Sequence, residues 1–337
     1  MFAFSSRLLP LLQLTRMALV FTAIADGACS ILLLHSEHPV EMRETLWMRL
    51  FAMAGVSIGL YGFGMSLNDI IDRRRDSQIS PNRPLPAGRI SIFTAHVVCA
   101  ALAILAVVSG SLYASLSSPA EGRFTFILIV GSGVLITFYD FAGKYLVPLG
   151  LLTLGLIRFF HACAPSPQLP VLWHPLLLLN HVTILSTVAY VWEQKRPTLN
   201  RKHITIVLVL LFSVNVLAIL SVWLRRGYGV ADAWQGMAVT EQLVLPICSA
   251  VGFLVVGGLI LIRTFDQRAA GQKLMLYGLL WLIVYDAAFV TSYVGWKAGL
   301  TILMFLPIAY FSVRMMRWWA YLASLTQKSE FKRAGVS

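Results

Sequence analysis

Charged side chains are scarce in this chain of 337 residues: they make up 12% of it, while hydrophobic residues make up 58%. Soluble globular domains carry about 25% charged residues, so this scarcity excludes a chain built only of such domains. Long apolar runs are present instead, and several reach the roughly 20 residues that a helix needs to cross a bilayer. With a mean hydropathy of +0.76, the composition predicts a polytopic, all-α membrane protein without a large soluble domain.

Cysteine is also rare, with four residues in the chain: Cys29, Cys99, Cys163 and Cys248. They lie far apart, mostly inside apolar stretches, and no two of them form a C-x-x-C pair. This spacing argues against a disulfide framework and against a structural zinc site.

Acidic residues are outnumbered, with 15 Asp and Glu against 27 Lys and Arg and a formal net charge of +12. A basic balance can indicate nucleic-acid binding, but Lys and Arg also accumulate in the cytoplasmic loops of membrane proteins. We therefore expect the lipid bilayer, and not nucleic acid, as the partner that explains this charge.

Ten apolar segments alternate with polar stretches. They lie near 17–35, 50–68, 91–113, 124–140, 146–163, 175–192, 204–224, 243–263, 274–294 and 298–314. A cytoplasmic N-terminus puts most of the 27 Lys and Arg residues into inner stretches, as the bias of cytoplasmic loops requires. The sequence thus predicts a cytoplasmic lead-in at 1–16, a transmembrane domain at 17–314 and a cytoplasmic tail at 315–337. The ends of segments two, four and six then meet one cytoplasmic surface.

The second segment ends in a group of acids. Asn68, Asp72 and Asp76 are spaced i, i+4, i+8, so on a helix they lie along one face. Carboxylate and amide oxygens suit Mg²⁺, whose shell is usually completed by water and substrate phosphates. Downstream, Arg83 and Pro84 supply a cation for phosphate oxygens and a rigid turn. The alternative is a solvated helix end whose acids pair with the arginine run that follows Asp72.

The pattern Asn68-Asp69-x-x-Asp72-x-x-x-Asp76, followed by Asn82-Arg83-Pro84-Leu85 and Gly88-Arg89-Ile90-Ser91, resembles the first Asp-rich motif of the UbiA family of intramembrane prenyltransferases. The resemblance implies a UbiA-type helical bundle of nine core helices, here with a tenth, around a central cavity open toward the lipid. It also implies Mg²⁺ bound to a polyprenyl diphosphate and prenyl transfer to an acceptor that is often aromatic. The metal ligands it implies are Asn68, Asp72 and Asp76, with Asp69 and Arg83 in support.

The fourth segment ends in a stretch from Tyr139 to Lys144. It resembles the Tyr…Lys element of the same family, whose lysine contacts diphosphate. The alternative is a lysine that extends its ammonium from a helix end to the membrane surface.

The sixth segment departs from the family pattern. Where the family's second Asp-rich motif holds several carboxylates for a second Mg²⁺, this chain has only Glu193, followed by Lys195 and Arg196. One carboxylate binds Mg²⁺ weakly, with waters, and the two cations can replace part of the missing metal charge on diphosphate. Gly155-Leu156-Ile157-Arg158 and Asp286-Ala287-Ala288 resemble a divergent branch of the family that also has a lone Glu at this place.

Arg158 lies inside the fifth segment, where a charge is costly and usually faces a cavity or a partner. It either contacts an anion or acceptor in the cavity or pairs internally with a carboxylate such as Asp26 or Asp286. For Asp286 itself, a structural hydrogen bond to a neighbouring helix is favoured over a role as a base. His181 is expected to be a hydrogen-bonded bundle residue.

These observations favour a Mg²⁺-dependent prenyltransferase of isoprenoid or quinone-type biosynthesis, in a bacterial plasma membrane, with its active-site loops in the cytoplasm. The rival is a non-catalytic carrier or binding protein for a lipid or diphosphate metabolite that keeps the fold. The expected catalytic residues are Asp72, Asp76, Lys144 and Glu193. The expected substrate-binding residues are Tyr139, Arg83, Arg158, Lys195 and Arg196. The expected metal ligands are Asn68, Asp72, Asp76 and Glu193.

Overall fold

The computed structural model describes residues 10–167, 171–225, 241–316 and 318. Within these ranges the regular structure is helical, as the composition predicts. The main helices are α1 (Val20–Glu37), α2 (Leu46–Ile71), α3 (Ile92–Ser115), α4 (Pro119–Phe138), α5 (Val147–Cys163), α6 (Trp173–Trp192), α7 (Arg201–Arg225), α8 (Val244–Arg263), α9 (Gln267–Tyr293) and α10 (Trp296–Leu303).

Nine helices within the described residues are long and apolar enough to cross a membrane. The last of these, Trp296–Met316, consists of α10 and its continuation, and α5 is a shorter apolar helix of 17 residues. Each of the ten predicted segments therefore corresponds to a helix. Most of the predicted tail at 315–337 lies outside the described residues.

The helices divide into an inner and an outer set. Half or more of the membrane-spanning window is buried in α1, α2, α6 and α9 (50–61%), against 11–17% in α3, α7 and α8. The outer helices present large apolar side chains such as Phe212 and Leu254, which suits contact with lipid. The inner helices form the core, where Cys29 of α1 packs with Ile283 and Phe289 of α9.

The end of α2 is continued by a short helix, Arg73–Ile79, with Asp72 at the junction. The loop beyond it turns at Gly88, whose φ of 67° is a left-handed conformation that glycine adopts without steric cost. Leu85 and Ile90 of this loop are buried against Leu14. Residues 10–16, predicted as part of a lead-in, thus pack against the loop that carries Arg83.

The end of α4 widens into a π-helical turn, Tyr139–Gly143. The Lys144 amide donates to the Tyr139 carbonyl at 3.1 Å, five residues back, which is the π-helical bond. Helix α5 approaches this turn closely, since a Cβ atom on Gly150 would lie 2.2 Å from the Gly143 carbonyl oxygen. The absence of side chains at Gly143 and Gly150 therefore allows α5 to pack closely against the Tyr139–Lys144 stretch.

Candidate functional site

The ends of α2 and α4 meet through polar side chains. The Asn68 amide nitrogen donates to Asp140 Oδ1 at 2.8 Å. The Lys144 Nζ atom lies 2.9 Å from Asp72 Oδ2 and 3.3 Å from Asp140 Oδ1. We call these four residues the Lys144 cluster. Lys144 thus bridges two carboxylates, and its side chain is only 12% exposed, unlike a lysine that reaches out to the membrane surface.

A second group surrounds Arg83. Its guanidinium lies 2.5 Å from Asp76 Oδ2 and 3.4 Å from Asp69 Oδ1, and Arg16 lies 3.1 Å from the same Asp69 oxygen. We call these four residues the Arg83 cluster. Asp76 is therefore paired with the loop arginine, one helical turn beyond Asp72, while Asn68 and Asp72 contact the end of α4. Neither the sequence pattern nor the spacing indicated a role for Arg16.

A cavity of about 400 Å³ opens beside the Lys144 cluster. Its charged end, called the mouth here, is lined by Arg16, Asn68, Tyr139, Asp140 and Lys195. A carboxylate, an amide and two cationic side chains thus surround the entrance of this cavity. Of the residues expected from the sequence to act, Asn68, Tyr139 and Lys195 line this mouth directly, while Asp72 and Lys144 lie behind it in the same cluster.

The cavity continues between apolar side chains, among them Leu60, Ile136 and Leu279. Its far part is polar again and is lined by Ser57, His161 and Arg158. Asn68 and Ser57 lie eleven positions apart on α2, which corresponds to about 16 Å along the helix axis. The cavity can therefore hold a charged head at one end and an extended apolar chain along its walls.

The second motif is assembled differently. Glu193 caps the end of α6, and its Oε2 atom lies 3.1 Å from Lys195 Nζ. The Glu193 side chain also contacts α9, since a Cβ atom on Gly271 would lie 3.0 Å from Glu193 Cγ. Arg196 is exposed. Lys195 thus reaches the mouth from the end of α6, and Glu193 is its anionic partner.

Arg158 has partners on α1. Its guanidinium forms an ion pair with Asp26 and donates to Thr22 Oγ1 at 2.7 Å. Of the two partners weighed for Arg158, the structure shows Asp26. Because the same guanidinium borders the cavity, its charge is balanced internally while one side remains open to a ligand.

Asp286 contacts a neighbouring helix, as expected. His174 Nε2 of α6 lies 2.7 Å from Asp286 Oδ1, and Cys29 Sγ lies 3.6 Å from the Asp286 carbonyl oxygen. The 2.7 Å between His174 Nε2 and Asp286 Oδ1 is a hydrogen-bond distance. One potential metal-ligand atom from each of these three residues lies within 4.8 Å of the other two. We call Asp26, Arg158, His174 and Asp286 the interior network. His181 is likewise hydrogen-bonded, with the Gly278 carbonyl and the Tyr285 hydroxyl.

Comparisons with known proteins agree with this architecture. The model of the UbiA prenyltransferase family matches residues 18–283, which confirms the resemblance seen in the sequence. No curated protein matches the chain. A solved structure of digeranylgeranylglyceryl phosphate synthase is 19% identical, covers 86% of this chain and 99% of its own, and has a TM-score of 0.55, which shows a shared fold.

A UbiA homolog from Archaeoglobus fulgidus is 12% identical, with 90% of this chain and 99% of that chain covered and a TM-score of 0.43. The same homolog bound to DMAPP and Mg²⁺ is also 12% identical over the same coverage, with a TM-score of 0.38.

Proposed function

We propose that this chain, which belongs to the UbiA prenyltransferase family, transfers a prenyl group from a polyprenyl diphosphate to a lipophilic acceptor inside the membrane. One observation carries the proposal: a single cavity of about 400 Å³ joins a charged mouth to apolar walls. A diphosphate with an apolar tail has this distribution of polarity. The family is named for prenyl transfer, and the nine long apolar helices found among the described residues make the chain an integral, multi-pass membrane protein.

The Lys144 cluster fits a magnesium ion. Asn68, Asp72 and Asp140 offer amide and carboxylate oxygens, the donors that Mg²⁺ prefers, and a cation, the Lys144 ammonium, already contacts both carboxylates. Mg²⁺ held there would neutralise diphosphate oxygens and stabilise the charge that develops on the leaving group. Asp76 and Glu193, which we expected to be ligands, lie outside the Lys144 cluster and pair with Arg83 and Lys195, so we assign them the positioning of these two cations.

The cations around the mouth bind and stabilise the diphosphate. Arg83, Lys144 and Lys195 approach from a loop, the end of α4 and the end of α6, so they surround the leaving group from several directions. Fixed positive charge aimed at developing negative charge lowers the barrier for departure of the leaving group. Arg196, which is exposed, extends this positive region outward.

The walls of the cavity hold the prenyl chain. Apolar side chains exclude water from the allylic carbon, which favours capture by the acceptor over hydrolysis. The rings of Tyr61 and Tyr139 border this space and can stabilise positive charge on the allylic carbon through their π faces. The reaction breaks the carbon–oxygen bond to diphosphate and forms a bond to the acceptor, which then loses a proton. Arg158, His161 and Ser57 line the far end of the cavity, about 16 Å from Asn68 along α2, and so lie beyond the reacting atoms.

Diphosphate release tests this function. Protein purified into lipid nanodiscs, with Mg²⁺ and a panel of allylic diphosphates and acceptors, is expected to release diphosphate. Asp72→Asn is expected to reduce the rate by about 100-fold or more, comparable to removal of one group that stabilises a transition state. The matched control is Glu41→Gln, an exposed acid beyond the far end of α1. Full activity of Asp72→Asn would refute the mechanism.

A carrier is the second candidate, and the Glu193–Lys195 pair favours it. The second motif has one carboxylate, Glu193, and it is paired with a lysine at 3.1 Å, so this motif offers no unpaired acid for a second metal ion. A carrier predicts Mg²⁺-dependent binding of a prenyl diphosphate without its cleavage. Binding measured by isothermal titration, with no release across the whole panel, would replace the transferase with the carrier.

The orientation of the mouth belongs to this proposal. The bias of the 27 Lys and Arg residues supports a mouth that faces the cytoplasm, here of a bacterium. In a cysteine-free background expressed in bacteria, Ser80→Cys lies next to the mouth and Glu41→Cys lies at the opposite end of the bundle. A membrane-impermeant thiol reagent is expected to label only Glu41→Cys in intact cells. The reverse labelling would invert the topology.

A further inference from the structure

Asp140 lies within the Tyr139–Lys144 stretch, and the sequence analysis assigned it no role, yet it lies at the centre of the Lys144 cluster. It accepts from Asn68 at 2.8 Å, contacts Lys144 at 3.3 Å and lines the mouth. We infer that Asp140 is a ligand of the metal site, in place of a carboxylate missing from the second motif, and that Lys144 occupies this site when no metal is bound. The inference rests on the proposed function and deepens it.

The position of Asp140 is the first argument. Its side chain is only 3% exposed, and a buried carboxylate is costly unless paired or bound to a metal. Its paired oxygen is shared by Asn68 and Lys144, two side chains whose own positions in the motifs implied contact with metal and diphosphate. An acid with only a structural role would be expected to lie between packed helices, whereas Asp140 borders the cavity.

Lys144 supplies the second argument. Its ammonium lies 2.9 Å from Asp72, the separation of a charge-assisted hydrogen bond, and 3.3 Å from Asp140, where it forms an ion pair. Mg²⁺ binds the same oxygens at about 2.0–2.1 Å. A divalent ion and the ammonium would repel each other at this separation, so metal binding and the present position of Lys144 exclude each other. The displaced ammonium is then free for an anionic ligand at the mouth.

The π-helical turn explains how Asp140 reaches this position. Residues Tyr139–Gly143 form a wide turn, a rare irregularity found often at functional sites. The turn places Asp140 opposite Asn68 and also brings Lys144 back onto Asp140, four residues away. The acid and its exchangeable cation therefore come from one local irregularity of α4.

Metal binding is the direct test. Mn²⁺ is titrated into the protein in nanodiscs, without substrate, and free Mn²⁺ is followed by electron paramagnetic resonance. Asp140→Asn is expected to weaken binding by at least about 10-fold, the lower end of the cost of losing a supporting group at a metal site. Asp72→Asn is expected to do the same, Glu41→Gln to change nothing, and Lys144→Met to tighten binding severalfold because a competing cation is removed.

The unaltered protein provides a test that does not depend on folding of a variant. Amine acetylation of Lys144 is measured by mass spectrometry with and without saturating Mn²⁺, with the exposed Lys202 as the internal reference. Labelling of Lys144 relative to Lys202 is expected to rise with Mn²⁺, because the ammonium leaves the carboxylates. Unchanged or reduced labelling would overturn the exchange of Lys144 for metal.

Failure of the inference can be told from failure of the proposed function. If Asp72→Asn weakens Mn²⁺ binding and Asp140→Asn does not, Asp140 is not a ligand, while the transferase proposal remains intact. If the unaltered protein binds no Mn²⁺, the inference falls together with the metal-dependent reaction. Mn²⁺ binding that depends on Asp140 in a protein that never releases diphosphate would support the inference for a carrier.

Discussion

The mouth and the interior network are built from the same kinds of side chain, but they differ in access. Next to the mouth, Lys144 and Arg83 pair with acids, and the Arg83 side chain is 34% exposed. In the interior network, Asp26, Asp286 and His174 are at most 1% exposed. Acid–base pairs at the mouth can exchange a partner for a ligand, whereas those of the network cannot do so without leaving a buried charge unpaired.

Because of this difference in access, we expect the interior network to contribute mainly to the stability of the fold and the residues at the mouth to contribute mainly to ligand binding and rate. Breaking a buried ion pair by removing one partner costs about 3–5 kcal/mol, whereas an exposed pair contributes about 0–1 kcal/mol. Substitutions in the interior network should therefore unfold the bundle, and substitutions at the mouth should change ligand binding and rate. The comparison can be tested by measuring both quantities for the same variants.

The largest effect is expected for Arg158→Met. It leaves Asp26 buried and unpaired, so the free energy of unfolding should fall by about 3–5 kcal/mol, measured by denaturant titration in mixed micelles. Arg201→Met, an exposed arginine at the start of α7, is the control and should change stability by less than about 0.5 kcal/mol. A stable Arg158→Met protein that has lost only activity would make Arg158 a ligand-binding residue of the cavity and not a structural member of the interior network.

An intermediate effect is expected for Arg83→Gln. It removes a fixed positive charge aimed at the charge that develops on the leaving group, so diphosphate release should slow by about 10-fold or more. Thermal stability should change little because the loop remains anchored by Leu85 and Ile90. Arg83→Lys should recover part of the rate. A variant with a normal rate and a large loss of stability would contradict the assignment.

The smallest effect is expected for Glu193→Ala. Its partner Lys195 is 47% exposed, so the pair contributes little, and the rate of diphosphate release should fall by less than about 10-fold. Glu193→Gln should behave like the unaltered protein. A loss as large as that of Asp72→Asn would instead make Glu193 a metal ligand, as the sequence analysis expected, and would narrow the distinction between the two acidic motifs.

The sequence predicts the helices well because each membrane-spanning helix is indicated by the length of one continuous apolar segment. It also indicates Asn68, Asp72 and Arg83, whose spacing is visible within one short stretch. It does not indicate that Asn68 contacts Asp140, because the two residues are 72 positions apart and only helix assembly joins them. Nor does it reveal the π-helical turn, since the turn is defined by a backbone hydrogen bond between residues five apart that no residue type in this stretch indicates.

Arg158 shows the limit of prediction from the other side. A charge inside a span requires a partner or a cavity, and the sequence analysis expected either one. The structure gives it both: an ion pair with Asp26 and a place on the cavity wall. A guanidinium has five N–H donors, so it can pair with an acid and border a cavity at the same time. Composition and spacing therefore cannot decide between these two positions.

The length of α2 sets the depth of the site in the membrane. Trp47, near the start of α2, is 71% exposed, and exposed tryptophans favour the interface between headgroups and acyl chains. From Trp47 to Asn68 the helix rises about 32 Å, close to the roughly 30 Å thickness of the hydrocarbon layer. Asn68 and Asp72 therefore lie at the headgroup level of the opposite leaflet. A diphosphate could stay hydrated at this depth while its prenyl chain entered the acyl region. The charged diphosphate would then never have to cross the hydrocarbon layer.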